Sequence, residues 1–404
     1  MLFVSVGPPR EVLDISQPNS RASLASLFAV VIVDLIGFGI VMPILPFWAD
    51  GLGASSWIYG LILSSYAAAQ FVCAPLWGRL SDRVGRRRVL LITVAGTAAS
   101  LALLGIADSL WLVFVARILS GAFAGNIGVA SAYISDVTPP AERTGKLALI
   151  GLCFAVGFTL GPALAALLTP LGSHAPLYFA AALAALNWIA AFAFLRDTQR
   201  TEDSGANAEA LRFGALSDPR VRTLALANLA FSLAVTVLES MFPLLMMDAF
   251  GYDARQFGLL LVGVAVVMGV VQGGMRRLVP RIGEARLTLA GCALLALSFA
   301  AIPSMPSVAL LLIPLAGSAI GRAFAQPSML GLVSLAATPT TRGQVMGTFQ
   351  SMASLARVFG PAAAGWLYAR NTAFPFWLAA ALVTLTLFVP WRRLARELGA
   401  AKSG

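Results

Sequence analysis

The chain has 404 residues, of which 59% are hydrophobic and 11% charged, with a net charge of +10 and a mean hydropathy of +0.84. Soluble domains lie near ~45–50% apolar and ~25% charged residues, so this composition excludes an ordinary soluble protein. A helix needs ~20 apolar residues to cross ~30 Å of hydrocarbon, and a chain of this length accommodates roughly twelve such spans with their loops. We therefore predict an all-α membrane protein without a separate soluble domain.

Cysteine and histidine usage excludes several kinds of site. The three cysteines, Cys73, Cys153 and Cys292, all lie inside apolar runs, and His174 is the single histidine. A disulfide framework, a Cys- or His-clustered metal site and a histidine-based catalytic triad are therefore not expected. We predict neither an enzyme nor a metal site.

Hydropathy predicts twelve spans in two sets of six. The first 23 residues are a polar N-terminal segment, and the first apolar run is too long for a cleaved signal peptide. A first bundle is predicted over 24–196, a polar linker over 197–220, a second bundle over 221–391 and a C-terminal tail over 392–404. The predicted spans are 24–47, 57–80, 88–107, 110–135, 144–168, 175–196, 221–247, 255–279, 286–304, 307–334, 342–368 and 373–391.

The positive charge is distributed according to topology. Of the 28 Lys and Arg residues, 23 fall on one side of the predicted spans, whereas Arg255 and Arg370 fall on the other. Because cytoplasmic loops of membrane proteins are enriched in Lys and Arg, both termini are predicted to be cytoplasmic. The excess charge then needs no nucleic-acid partner to explain it.

Three landmarks indicate an internal duplication. Arg83-Val84-Gly85 recurs as Arg281-Ile282-Gly283, Thr138-Pro139 as Thr338-Pro339, and Gly161-Pro162 as Gly360-Pro361, at offsets of 198, 200 and 199. Paired six-span halves are typical of transporters that rock around a site at the membrane midplane.

The loop at 78–88, Gly-Arg-Leu-Ser-Asp-Arg-Val-Gly-Arg-Arg-Arg, joins the second and third predicted spans. Gly85 permits the tight turn between two antiparallel helices, and the carboxylate of Asp82 can interact with a helix N-terminus. We predict a conformational switch here, with a purely topological basic loop as the alternative. The predicted switch residues are Gly78, Asp82, Arg83, Gly85, Arg86 and Arg87.

This loop resembles a signature of the major facilitator superfamily. Other stretches resemble its twelve-span drug:proton antiporters of the tetracycline-efflux type: 34–46, 117–138, 157–162, 174–176 and 350–361. The resemblance implies two pseudo-symmetric six-helix bundles in the inner membrane, a monomer, no cofactor, and a proton gradient as the energy source. It also implies that the glycines and prolines of the fifth and eleventh spans are helix-packing positions: Gly157, Gly161, Pro162, Gly360 and Pro361.

The chain departs from the tetracycline:metal exporters at positions that bear on the substrate. Ser100, Met268 and Leu295 fall where that family has a carboxylate, a histidine and a second carboxylate. A metal-chelate cation without those ligands is poorly accommodated. The fifth-span antiporter pattern is also diluted, with Ala148 at its first glycine and Ala165-Ala166 at its last pair, which weakens the prediction of antiport.

Five ionisable residues lie within apolar runs: Asp34, Arg117, Glu239, Arg322 and Arg357. Charges at such depth are costly and indicate function. From their depths at 1.5 Å per residue, we predict pairs between Asp34 and Arg117 and between Glu239 and Arg357, with Arg322 left without a partner. Asp34 and Glu239 are predicted to carry the coupling protons, with contact to a cation as a further role for Asp34 and a structural role as the alternative for each. Arg322 and Arg357 are predicted either to fix the packing of helices or to contact the substrate.

Amides and aromatic residues within the spans predict a central cavity. Amides orient ligands and aromatic faces supply apolar area, although an amide that joins two helices is the alternative at every position. The predicted set is Gln70, Asn126, Asn228, Gln326 and Gln350, with Phe38, Tyr66, Phe231, Phe242 and Phe324.

The sequence thus predicts a secondary transporter that exports hydrophobic drug-like or metabolite molecules in exchange for protons. The alternative is a proton-coupled importer of a small polar or anionic solute, suggested by the unpaired Arg322 and the diluted glycine pattern. A receptor or a channel would need a large soluble module or a continuous polar stripe, and the sequence has neither.

Overall fold

A computed structural model describes residues 18–195, 218–336 and 341–391, which are almost entirely helical. Most of the predicted N-terminal segment and linker, the C-terminal tail and the landmark Thr338-Pro339 lie outside the described residues. Long apolar segments are helical because an α-helix satisfies every backbone polar group internally. The helices are α1 Pro18–Gly51, α2 Ser56–Val84, α3 Arg86–Gly105, α4 Leu110–Phe123, α5 Asn126–Val137, α6 Pro140–Leu168, α7 Ala175–Phe194, α8 Pro219–Phe250, α9 Ala254–Ile282, α10 Glu284–Ala301, α11 Val308–Ala336, α12 Arg342–Tyr368 and α13 Phe374–Leu387.

These helices confirm the predicted twelve-span, two-bundle fold. Helices α4 and α5 together form the fourth span, and each other helix corresponds to one span. The first bundle contains α1–α7 and the second α8–α13. Within the described parts of the chain, ten of the spans are long and apolar enough to cross a membrane by length and composition.

The fourth span is interrupted, which the sequence analysis did not predict. Its helix stops at Ala124 and restarts after Gly125, so carbonyl groups at the break lose their helical partners. Side chains of α2 replace those partners: Trp77 Nε1 donates to the Ala122 carbonyl at 2.5 Å, and Gln70 Nε2 donates to the Ala124 carbonyl at 3.3 Å. The break is therefore stabilised by the neighbouring helix.

Backbone conformation supports the duplication. Gly85, between α2 and α3, has a φ of 102°, and Gly283, between α9 and α10, has a φ of 88°. The α1–α2 and α8–α9 turns also contain positive-φ glycines, Gly53 and Gly251. Both pairs are 198 residues apart, so the two halves use the same turns at equivalent positions.

The ends of the bundles differ in charge. The end formed by 79–88, 143–146 and 276–286 is here called the basic end, because most of the arginines outside the spans lie there. The other end, formed by 51–56, 169–175, 251–254 and 369–374, is called the opposite end. The two bundles contact each other closely at the opposite end and separate toward the basic end.

Candidate functional site

A cavity of about 2630 Å³ lies between the two bundles. Both bundles line it, and it extends from the level of Asp34 and Glu239 to Arg83 and Arg88 at the basic end. Ordinary small-molecule pockets occupy ~300–1,000 Å³, so this space includes an access path as well as a binding region.

Helices α2 and α12 close the cavity at the opposite end. The Ser56 hydroxyl donates to the Gly365 carbonyl at 3.1 Å, and the backbone N–H of Ala362 donates to the Ser64 hydroxyl oxygen at 3.1 Å. Between them, Gly60 lies directly against the Pro361 carbonyl, where a Cβ atom would overlap it. The two helices therefore meet backbone to backbone.

Helices α6 and α9 form a second closure at the opposite end. A Cβ atom on Gly258 would lie 2.9 Å from the Pro162 carbonyl oxygen and 3.1 Å from the Ala166 side chain. Nearby, the rings of Phe47 and Phe257 join α1 to α9, with centroids 6.1 Å apart. The described residues thus form a cavity that is closed at the opposite end and has its mouth at the basic end.

Asp34 does not pair with Arg117, which corrects our prediction. The half-buried Asp34 carboxylate accepts a hydrogen bond from Asn126 Nδ2 at 3.0 Å. Asn126 reaches it because α5 restarts there after the break in the fourth span. The Arg117 guanidinium instead lies 4.2 Å from the centre of the Tyr66 ring and is 4% exposed. An aromatic face offers a buried cation an attractive partner without desolvating a carboxylate.

The predicted pairing of the second bundle is also wrong. Arg322 of α11 forms an ion pair with Glu239 of α8, and its Nε donates to Gln326 Oε1 at 3.3 Å. Arg357 of α12 donates to the Ser354 hydroxyl at 3.2 Å. Depth along the span placed Glu239 level with Arg357, but the packing of α11 against α8 brings Arg322 to it instead.

Part of the predicted polar and aromatic set lines the cavity. Six of its members do so: Gln70, Gln326, Gln350, Phe38, Tyr66 and Phe242. Asn126, Asn228, Phe231 and Phe324 do not, and Asn228 donates to the Phe349 carbonyl at 2.8 Å, which joins α8 to α12. Asn228 therefore joins two helices, which was the alternative interpretation of the predicted amides.

Sequence reasoning missed much of the apolar wall. It includes Met42, Phe158, Phe257 and Leu261, which the sequence does not distinguish from apolar residues that face lipid. Met268 and Leu295 also line the cavity, whereas Ser100 is buried and donates to the Gly96 carbonyl at 2.6 Å. Two of the three positions at which the resemblance predicts a missing polar ligand are thus apolar cavity wall.

The predicted switch loop is tied to its own bundle. Arg86 is buried and forms ion pairs with Asp82 at 2.5 Å and Asp136 at 3.0 Å, and it donates to the Ser81 hydroxyl at 2.5 Å. Arg87 donates to the Phe192 carbonyl at 2.7 Å, while Arg83 is exposed at the cavity mouth. An Asp82 contact with the second bundle belongs to another conformation and stays a prediction.

The packing glycines occupy matching places in the two bundles. Gly157 and Gly161 of α6 lie against Leu35 and Gly39 of α1, where added Cβ atoms would clash. Gly360 of α12 lies against Thr236 of α8, the helix equivalent to α1. Small residues allow this close approach of helices in a membrane.

Comparison with known proteins agrees with this architecture. The sequence profile of the Major Facilitator Superfamily matches residues 27–223 and 224–403. The chain belongs to the major facilitator superfamily. It is 30% identical over 368 residues to the class D tetracycline resistance protein of Salmonella ordonez, covering 87% of this chain and 91% of that protein.

Comparison with solved structures also supports the major facilitator fold. The structure of the human organic anion transporter MFSD10 has a TM-score of 0.68 at 27% identity and covers 92% of this chain and 99% of that one. The structure of a nucleoside transporter, which is 14% identical to this chain, shares the fold with a TM-score of 0.75. That comparison covers 93% of this chain and 99% of the transporter. This chain is therefore a multi-pass membrane transporter of this superfamily with a small-molecule substrate, and it is similar to the tetracycline-efflux transporters.

Proposed function

We propose that this protein is a proton-coupled exporter of hydrophobic drug-like or metabolite molecules that works by alternating access. The observation that carries the proposal is the cavity between the bundles, which is open at the basic end and closed at the other by α2–α12 and α6–α9 contacts. Rocking of the two bundles would exchange which end is closed.

We assign the basic end to the cytoplasm and both termini to the same side. The concentration of arginines at this end supports that orientation through the positive-inside rule. The mouth of the cavity then faces the cytoplasm, where an exporter collects its substrate. We further propose that the protein is a monomer of the inner membrane that uses the proton gradient and no cofactor.

Asp34 is the proposed principal proton site. It lines the cavity and accepts a hydrogen bond from a neutral amide rather than from a cation, so a proton can occupy it without breaking an ion pair. Glu239 remains the second predicted proton site. Because the Glu239 carboxylate forms an ion pair with Arg322, Glu239 would be protonated only after Arg322 moves away.

The tetracycline resistance proteins support export, although the described substrates of the relatives differ. The tetracycline resistance proteins favour drug efflux, and the human relative is described as an organic anion transporter. The alternative proposal of an importer for a polar or anionic solute relied partly on an unpaired Arg322, and the Glu239–Arg322 ion pair removes that ground.

Transport in inside-out membrane vesicles tests the proposal. Accumulation of a hydrophobic dye should follow the imposed pH gradient and should cease when a protonophore collapses it. Vesicles that contain the Asp34→Asn variant at equal expression are the control. Gradient-driven accumulation in right-side-out vesicles instead would establish import and contradict the proposal.

A further inference from the structure

Two charged side chains within the spans have no ion-pair partner among the described residues. The Asp34 carboxylate accepts from the Asn126 amide at 3.0 Å, and the Arg357 guanidinium donates to the Ser354 hydroxyl at 3.2 Å. Neither takes part in an ion pair within residues 18–195, 218–336 and 341–391. Their charges are therefore left for other partners.

The other three ionisable groups of the spans already have partners. Glu239 and Arg322 form an ion pair at the cavity wall. Arg117 is buried beneath the Tyr66 ring and is absent from the cavity wall. Further charged residues, such as Arg83 and Arg88, line the cavity at its basic end. Within the spans, a ligand thus meets one ion pair and two charges of opposite sign that have no ion-pair partner.

The two unpaired charges face the same space from different bundles. Asp34 belongs to α1 and Arg357 to α12, and both line the cavity. Tyr66 of α2 lines the same cavity, with the Arg117 guanidinium beneath its ring. A ligand that spans the cavity from α1 to α12 can therefore interact with both charges.

An apolar wall adjoins Asp34. Phe38 lies one helical turn from it on α1, with its ring centre 5.7 Å from that of Tyr66 and 5.9 Å from that of Phe158. Such a cluster supplies flat apolar area for an aromatic or aliphatic body. The ligand that fits is apolar over most of its surface.

Charge complementarity then selects the ligand class. Charge-assisted hydrogen bonds are stronger than neutral ones, and more so in a cavity partly shielded from water. A singly charged ligand would satisfy only Asp34 or only Arg357. We propose that this cavity takes an amphipathic zwitterion, whose cationic group binds Asp34 and whose anionic group binds Arg357.

This proposal rests on the proposed function and deepens it. A cationic group on Asp34 and a proton on Asp34 exclude each other, which is the competition that antiport requires. Because Asp34 and Arg357 belong to different bundles, the bound zwitterion also links the two bodies that rock.

Rhodamine B and its ethyl ester provide a matched test. They share one xanthene body, but rhodamine B is a zwitterion and the ester is a cation, while fluorescein supplies an anion of related shape. Binding is measured by fluorescence polarisation with protein in lipid nanodiscs, and transport of the same dyes is measured in proteoliposomes. We expect rhodamine B to bind about tenfold more tightly than either other dye.

Variants test the contributions of Asp34 and Arg357 to binding separately. Arg357→Gln should remove the preference for rhodamine B over its ester, and Arg357→Lys should restore part of it. Asp34→Asn should weaken binding of both the zwitterion and the ester. Arg255→Gln, an exposed arginine outside the cavity wall at the opposite end, is the control and should change none of these affinities.

The possible results are distinct. Equal binding of rhodamine B and its ester to the unaltered protein overturns the zwitterion proposal alone, and this comparison needs no variant to fold. If fluorescein binds more tightly than rhodamine B and its affinity is unchanged in Asp34→Asn, the zwitterion proposal is overturned in favour of an anionic ligand. If no dye binds and none is transported, the proposed drug exporter fails together with it.

Discussion

The backbone N–H of Ala362 in α12 donates to the hydroxyl oxygen of Ser64 in α2, across the boundary between the two bundles, at 3.1 Å. Ala362 directly follows Pro361, whose carbonyl lies against Gly60. The helix-packing proline of the second bundle therefore takes part in the closure of the opposite end. Three small residues one turn apart on α2, Ser56, Gly60 and Ser64, form the surface that receives it.

Gly60→Val should shift the protein toward a conformation that is open at the opposite end. The added side chain would overlap the Pro361 carbonyl, so α2 and α12 can no longer approach each other. Spin labels on the exposed residues Ser55 and Thr372, one in each bundle, should show a longer distance by pulsed electron resonance. Gly263→Val, at a glycine with open space around it, is the matched control. An unchanged distance in Gly60→Val would refute this role of the α2–α12 contact.

Asp34→Asn should abolish pH-gradient-driven accumulation while downhill exchange of substrate continues. The amide keeps the size of the side chain but cannot take up and release a proton. Transport is measured in proteoliposomes with and without an imposed gradient. Full proton-driven transport by this variant would make Asp34 a structural residue.

Glu239→Gln and Arg322→Gln should each lower the thermal stability of the purified protein, whereas the double variant should recover part of the loss. Each single change leaves one charge without its partner, and the double change removes both. Both side chains are about one-third exposed, so we expect a coupling energy of only ~1 kcal/mol. Additive losses in a double-mutant cycle would show that the pair contributes nothing.

Tyr66→Phe should preserve the environment of Arg117, and Tyr66→Leu should not. The Arg117 guanidinium lies 4.2 Å from the centre of the Tyr66 ring, and phenylalanine retains an aromatic face whereas leucine removes it. A buried cation–π contact contributes up to ~2 kcal/mol, so the leucine variant should melt at a lower temperature. Identical melting of the two variants would argue against this contact.

Arg86→Met should impair transport more than Asp82→Asn. Arg86 is buried and joins Ser81, Asp82 and Asp136, whereas Asp82 is 43% exposed and loses a single partner. In the other conformation, Asp82 is predicted to contact a helix N-terminus. Loss of that contact in Asp82→Asn should destabilise the other conformation by ~0.3–2 kcal/mol. Initial transport rates at matched expression compare the two. An equal or greater effect of Asp82→Asn would place the main contact of the loop outside the first bundle.

Composition and periodic landmarks determined the architecture without any structure. A span must be about twenty apolar residues long, so the twelve spans follow from hydropathy alone. The duplication follows from motifs such as Gly85 and Gly283, because a turn that needs a positive φ needs glycine in both halves. The five intramembrane charges were likewise identifiable, since charge is rare at that depth.

Only the tertiary structure decided which of those charges meet. Depth along a span is one coordinate, and it placed Asp34 beside Arg117 and Glu239 beside Arg357. Pairing also depends on how each helix is rotated and which helix it faces, and those are set by packing over the whole bundle. The break before Asn126 places its side-chain amide beside the Asp34 carboxylate. The packing of α11 against α8 places Arg322 beside Glu239. The sequence therefore identified the charged residues, and three-dimensional packing left Asp34 and Arg357 at the cavity wall without an ion-pair partner among the described residues.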